Sequence, residues 1–438
     1  APAIAAMRRC VAMRRLLHAA RTPPPVLQRI TTARRELGPA RAPPRQPPST
    51  RRSSLHTYTV DPFVRSRRKN YRRRPWTGLE LTCLGTGAGG PSVDRNAACV
   101  ALRLDAHGEQ STTWLFDCGE GTTRQVMSSP ISHADIDRIF ITHLHGDHLW
   151  GLPGFLATWS DMKTNENKIH KNIRYGRNQG PRELTVYGPE GLYDYLCSTL
   201  TYSQVPPRQN AAVKVVEIAA SDSANRNPKQ RPHGSLVHSG IVEEGTIVET
   251  STHSVSCARI VHRPGLDAYG FVVEEVALPR KVLVEEARRA GLTPGPLYQH
   301  LQAGQDVVLE DGSVVRADEV TQENVRPRKV VIVGDTCDAS SLVPLAENAD
   351  LVVHEATLED EQWILARRHG HSTAGGAGRF AAKARAKALI LTHMSSRHHS
   401  VKHLERLREQ ARKSFGRQEV VLGRDFMAVP VPRGGFTT

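Results

Sequence analysis

His143, His145, Asp147 and His148 put three imidazoles and a carboxylate within six positions, in the run Phe140-Ile-Thr-His-Leu-His-Gly-Asp-His-Leu149. Imidazole nitrogen and carboxylate oxygen are the donors zinc takes in hydrolytic sites, with an open position left for water. A β-branched stretch leads into the cluster. Residues two apart on a strand leave on the same face, so His143 and His145 can reach one ion together. The chain then turns at Gly146, which lets Asp147 and His148 face a second ion. The spacing predicts a dinuclear metal hydrolase, and the alternative is an exposed His-rich loop at a strand end.

Two ions need a bridging carboxylate and further histidines. Lys329-Val-Val-Ile-Val-Gly-Asp-Thr336 reads as a buried strand that delivers Asp335 to its carboxyl end, where α/β sites gather. Ala388-Leu-Ile-Leu-Thr-His-Met-Ser395 does the same for His393. His253 and His262 compete for the remaining place, and motif context favours His262. Gly85-Thr-Gly-Ala-Gly-Gly90 lacks the register of a dinucleotide loop and any P-loop lysine, so it reads as a tight turn beside the metal site.

Alternating elements must position these groups. Strand-like runs at 79–84, 99–104, 114–117, 138–142 and 184–187 are interleaved with helical ones at 119–127, 149–160 and 190–201. A second half follows, with strands at 330–333, 351–354 and 388–392 and helices at 373–384 and 401–413. The polar stretches 161–180 and 219–250 read as loops. No run of 18 apolar residues occurs, so no membrane span is expected. Seven cysteines without a Cys-x-x-Cys pair argue against a disulfide framework or a thiolate-held zinc.

Charge is concentrated at one end. Residues 1–75 hold 19 Lys and Arg against Glu36 and Asp61, leaving 40 basic and 42 acidic residues in the remainder. The net charge of +15 therefore comes from the leader, and it is no argument for RNA binding by the rest. Arg-rich, proline-dense and nearly free of acids, 1–75 is expected to be disordered alone. The run from Met7 to Leu17 reads as an organelle transit peptide, mitochondrial in preference to plastid. A nuclear signal in 65–74 or a disordered RNA-binding arm are the alternatives.

From about Leu81 to Asp425 the chain resembles the short form of ribonuclease Z, a metallo-β-lactamase-fold endonuclease that trims the 3′ trailer from precursor tRNA. The resemblance rests on Leu84-Gly-Thr-Gly-Ala-Gly-Gly-Pro-Ser92 with Arg95-Asn96, Phe116-Asp-Cys-Gly-Glu-Gly-Thr122 and the tetrad. It continues through Val333-Gly-Asp-Thr336, His354-Glu-Ala-Thr357, His371-Ser-Thr373 and Leu391-Thr-His-Met-Ser-Ser-Arg397. It implies an α/β fold of four layers, αββα, in a catalytic domain over 76–438. An inserted flexible arm would span 278–328, with Lys281, Arg288 and Arg289 on a helical stretch and Gly295 and Pro296 at a tip that grips tRNA. The resemblance assigns His143, His145 and His262 to one zinc, Asp147, His148 and His393 to another, and Asp335 to the bridge. Mn2+ would also suit this ligand set. Asp147 would accept a proton from the attacking water, and the Glu355–His371 pair would deliver one to the leaving oxygen. Seven residues separate His262 from Gly270, about two more than the family pattern has. Precursor tRNA is the implied partner, and a homodimer in which one subunit's arm serves the other's site is the implied assembly. A small-ester hydrolase or general phosphodiesterase of the same superfamily, or a non-catalytic RNA-binding relative, are the competing readings.

Overall fold

The computed structural model of the chain describes residues 58–59, 77–105, 111–170, 183–205, 211–219, 236–324, 326–397 and 400–433. Short runs rich in Val, Ile, Leu and Thr form its strands, because branched side chains fit a pleated, buried surface. In chain order these are β1 (Tyr58–Thr59), β2 (Leu79–Gly85), β3 (Cys99–Leu104), β4 (Thr112–Phe116), β5 (Ile136–Phe140), β6 (Glu183–Pro189), β7 (Ala212–Ala219) and β8 (Leu236–Glu243). The second half contributes β9 (Gly245–Glu249), β10 (His253–Ile260) and β11 (Ala268–Glu275), and an insertion adds β12 (Lys281–Val282), β13 (Val307–Val308), β14 (Val314–Val315) and β15 (Thr321–Gln322). Then come β16 (Lys329–Ile332), β17 (Leu351–Glu355), β18 (Ala388–Thr392), β19 (Val420–Leu422) and β20 (Met427–Pro430).

Two mixed sheets result. One has the order β1-β20-β2-β3-β4-β5-β6-β7-β8, the other β19-β18-β17-β16-β11-β10-β9. Side-chain alternation along each strand divides the interior into three cores. Ile139 packs outward on Phe155 and Leu196 of the helices Leu152–His170 and Leu192–Ser203. Its neighbour Phe140 faces inward into the core between the sheets, stacked 4.9 Å from Phe116 and tilted against Phe271 at 5.4 Å. On the far side Val352 packs with Phe380 and Leu407 of the helices Ala374–Lys383 and Val401–Phe415. Three cores between four layers make the αββα metallo-β-lactamase architecture.

Several elements differ from the sequence expectation. The stretch read as a loop at 219–250 contains β8 and β9, which lie at the free ends of the two sheets. The other polar stretch continues the helix Leu152–His170, and its part at 171–180 lies outside the described residues. Within the leader Tyr58 and Thr59 pair with Ala428 and Met427 as an edge strand, so 1–75 is not wholly unstructured. The transit-peptide run and the 65–74 basic run lie outside the described residues.

The arm is a folded insertion. Lys281 sits on β12, not on a helix, and only Arg288 and Arg289 lie on one (Val284–Arg289). A small core of Leu292, Leu301, Val307, Val315 and Val320 holds the insertion together. Its two ends are clamped at the foot. Glu275 N–H donates to the Arg328 carbonyl at 3.0 Å, and the Arg328 guanidinium donates to both Glu275 carboxylate oxygens at 2.9 and 2.6 Å. Arg328 also reaches the carbonyls of Thr77 and Val431, so the clamp ties the arm's foot to both ends of the catalytic domain.

Candidate metal centre

The carboxyl ends of strands from both sheets converge on one place. After β5 the chain runs extended to His143 and His145, then turns into the short helix Gly146–Leu149, which carries Asp147 and His148. From the second sheet come His262 after β10, Asp335 after β16, Glu355 at the end of β17 and His393 after β18. The two halves of the sequence thus complete one site only when the sheets are packed face to face.

His145 Nδ1 lies 3.1 Å from both His143 Nε2 and His262 Nε2. Asp147 Oδ2 is 3.3 Å from His393 Nε2 and 3.6 Å from His148 Nε2. Asp335 Oδ2 is 3.4 Å from His148 Nε2 and 3.3 Å from His393 Nε2, and its carboxylate also groups with His143 and with His262. Burial pushes His143, His145 and His262 below the usual imidazole range, which favours neutral rings with a free lone pair. Three neutral imidazoles whose nitrogens meet in one place cannot all satisfy one another by hydrogen bonds, whereas a divalent cation satisfies all three. The donor set fits zinc.

Outer contacts aim these donors. His148 Nδ1 donates to Asp117 Oδ2 at 2.7 Å, and Asp117 Oδ1 accepts the Thr142 N–H at 2.8 Å. Asp117 adopts a left-handed conformation (φ 61°), which swings its carboxylate under the tetrad. His262 Nδ1 donates to the Gly370 carbonyl at 2.5 Å, and Thr357 Oγ1 lies 3.0 Å from His393 Nδ1. The Gly89 N–H donates to Asp147 Oδ2 at 2.8 Å, which places the glycine-rich turn beside the site. Gly370 must be glycine, since φ is +77° and a Cβ would stand 2.1 Å from the His262 carbonyl oxygen. The second nitrogens of His148, His262 and His393 are thereby fixed, which sets the tautomer of a ligand.

Charge follows position. Burial works against the Asp147 anion, yet His393 and His148 hold its carboxyl well below the carboxylate range. Burial likewise works against a charged His371, but Glu355 and Asp335 outweigh it and raise the imidazole to about 9. His371 Nδ1 lies 3.1 Å from Glu355 Oε1, and Glu355 is itself fixed by the Thr336 N–H at 2.7 Å. Cys118 is fully buried and its thiol is pushed far up by burial, so it is a packing residue.

Of the residues singled out in the sequence, His143, His145, Asp147, His148, His262, Asp335, Glu355, His371 and His393 are brought together. His253 is not. It starts β10 and packs edge-on 6.0 Å from Trp114. Lys281, Arg288, Arg289, Gly295 and Pro296 are exposed on the insertion, with Arg288 paired to Glu285 and Arg289 to Glu286. Sequence reasoning missed what Asp117, Thr357, Gly89 and Gly370 do. The first had a signal, an aspartate at the end of the strand neighbouring β5; two of the others act through backbone groups that carry no residue signature.

Comparison with known proteins agrees with this geometry. Residues 96–263 match the Metallo-beta-lactamase superfamily. Ribonuclease Z of Geobacillus kaustophilus is 38% identical over 356 residues, spanning 81% of this chain and 100% of the relative. Human zinc phosphodiesterase ELAC protein 1 is 35% identical over 377 residues, spanning 81% and 99%. The crystal structure of human short-form tRNase Z superposes with a TM-score of 0.51 at 30% identity, over 81% of this chain and 99% of that one. A metal centre built from both sheets and likeness over the whole length of these relatives lead to one conclusion: the chain belongs to the ribonuclease Z family of the metallo-β-lactamase superfamily.

Proposed function

We infer that the chain is a zinc-dependent endoribonuclease that removes the 3′ trailer from precursor tRNA. The observation that carries this reading is the convergence of seven metal-type donors with a Glu355–His371 pair at their edge, in a chain that spans the ribonuclease Z relatives end to end.

His143, His145 and His262 would hold one zinc, and Asp147, His148 and His393 a second, with Asp335 shared. When bound, zinc supplies the Lewis acidity that stabilises charge building on the attacking and departing oxygens of a phosphodiester. Asp147 accepts a proton from the attacking water, its carboxylate held in place by the Gly89 N–H. His371 carries the other proton. Its Nδ1–H is committed to Glu355, so Nε2–H is the proton available to the departing 3′-oxygen. The products are a tRNA with a 3′-hydroxyl and a trailer with a 5′-phosphate. The folded insertion supplies a second contact, which lets a structured RNA be chosen by shape. A homodimer and mitochondrial import of the leader (with plastid and nuclear targeting as the alternatives) complete the proposal, the latter supported by the basic excess of 1–75.

The test is incubation of the zinc-loaded chain with a 3′-extended precursor tRNA and mapping of both product ends. A cut just after the discriminator base, lost with Asp147→Ala and with chelator, is the expected result. An uncut precursor alongside turnover of a small phosphodiester would sink the substrate assignment and leave the metal chemistry standing.

A further inference from the structure

The segment Trp363–His369 is a helix that ends one residue before Gly370 and two before His371. Its surface is inverted. Ala366 is buried, while Trp363 and Ile364 stand 58% and 67% exposed. Arg367 and Arg368 follow them at i+4, so four neighbouring side chains form one outward face. Arg263, exposed and next to the metal-type ligand His262, extends this face, its Nε–H donating to the His369 carbonyl at 3.1 Å. Among the described residues none of Arg263, Arg367 and Arg368 forms a side-chain ion pair. The basic residues on the insertion's helix behave differently, since both are neutralised by glutamates three residues away.

The platform is also fixed at each end. Just before it, Glu359 and Glu361 pair with Arg406 of the helix Val401–Phe415, and the Asp360 N–H donates to Gln410 Oε1 at 3.0 Å. Just after it, the Gly370 carbonyl receives the His262 ring. An exposed tryptophan among unpaired arginines on a rigid support is the chemistry that holds an RNA strand, with the ring against a base or sugar and the guanidinium groups against phosphates. Polarity tells which strand. His371 gives its proton to the 3′-oxygen, which stays on the mature tRNA, so a surface continuous with His371 lies on the tRNA side of the cut.

We propose that Trp363, Ile364, Arg367, Arg368 and Arg263 form a contact surface for the acceptor end of the tRNA, 5′ of the scissile phosphate. The proposal rests on the endonuclease reading above.

The experiment uses the zinc-loaded full chain, two disabling variants, Trp363→Ala and the double Arg367→Ala/Arg368→Ala, and the conservative Trp363→Phe. Three readouts are taken: cleavage of precursor tRNA, affinity for the mature tRNA without a trailer, and hydrolysis of bis(p-nitrophenyl) phosphate. Both variants are expected to weaken precursor and mature tRNA about tenfold, in KM and Kd respectively, with Trp363→Phe restoring most of the loss. The double variant should also lower the slope of log Kd against log salt by about one to two, the mark of lost phosphate contacts. Hydrolysis of the small ester should not change. Loss confined to the precursor, with mature tRNA bound normally, would place the surface on the trailer side and overturn the assignment. A parallel fall on the small ester would mean a structural role, and overturn it too. Unchanged RNA kinetics with an altered oligomeric state would make the face a protein interface instead. A wild-type chain that leaves precursor uncut removes the endonuclease reading and this proposal with it, whereas wild-type cleavage with indifferent variants refutes this proposal alone.

Discussion

Asp117→Asn tests whether the outer contacts govern metal binding. The Asp117 backbone is left-handed, a conformation asparagine tolerates, so the change is a local one. The amide oxygen can still take the Thr142 N–H that Oδ1 accepts at 2.8 Å. What fails is the other contact, because the amide N–H2 replaces the oxygen that accepts from His148 Nδ1 at 2.7 Å. Two donors then face each other. Turning the His148 ring or moving its proton to Nε2 relieves this, and either removes the lone pair that Nε2 presents beside Asp335 and Asp147. Losing such an outer partner costs about 10–100-fold in metal affinity, or roughly 1.4–2.8 kcal/mol. The assay is competition for zinc against a chromophoric chelator, with urea unfolding of the zinc-free protein as control. Expected are weaker zinc binding, activity that returns at high zinc, and zinc-free stability close to wild type. Unchanged zinc affinity, or a zinc-free protein as destabilised as the loaded one, would refute the claim that Asp117 acts by aiming His148.

Three further outcomes are expected. His371→Ala should lower precursor turnover by about 10²–10⁴-fold while zinc content measured by metal analysis stays at the wild-type level, since His371 pairs with Glu355 and is proposed as the proton donor; loss of zinc would make it a ligand. Replacing the insertion between Val276 and Arg326 with a short linker should raise KM for precursor tRNA and leave small-phosphodiester hydrolysis intact; an equal loss on both would mean that the insertion supports the fold and not the RNA. At the arm's foot burial disfavours the Glu275 anion, but Arg328 and Arg433 outweigh it and hold its carboxyl below the usual range. Its stabilising contribution is therefore complete above the ordinary carboxylate pKa of about 4.3 and fades as pH falls through the depressed folded value. Glu275→Ala strands a buried Arg328 and should cost about 3–5 kcal/mol in urea unfolding at pH 7, with a smaller difference from wild type in acid.

Strands with a strong apolar pattern were legible in the sequence, as β16, β17 and β18 show, because each lies within one residue of its Val, Ile and Leu run; β5 starts and ends two residues earlier than read, since Asp137 and Arg138 interrupt its apolar pattern. The tetrad was legible for the same reason, since its spacing presupposes the strand that precedes it. β8 was not. It lies at a sheet's end, its residues alternate between exposed and half-buried, and its Ser, His and Gly content imitates a loop. β1 and β12 are two residues long, too short for any period, and exist because a neighbouring backbone is available to pair with. The carbonyl of Gly370 and the N–H of Gly89 are invisible for a different reason: every residue but proline carries both groups, and only the fold decides where they point.

Asp117 and His393 both occupy left-handed backbone conformations that cost non-glycine residues stability, at φ 61° and 55°. Each is over-determined by what surrounds it. Asp117 is held by Thr142 and His148 from the first sheet's side, and His393 by Thr357 and the carboxylates of Asp147 and Asp335. Asp147 belongs to the first sheet's half of the chain and Asp335 to the second's, so His393 is locked only when the halves meet. The aromatic core around Phe116, Phe140 and Phe271 is what brings them together, with Phe140 on the strand that leads into the tetrad and Phe271 on the strand beside β16. Packing between the sheets and assembly of the metal centre are in this sense one event. The strain at Asp117 and His393 marks two points beside the site where side chains have been aimed at the cost of backbone comfort.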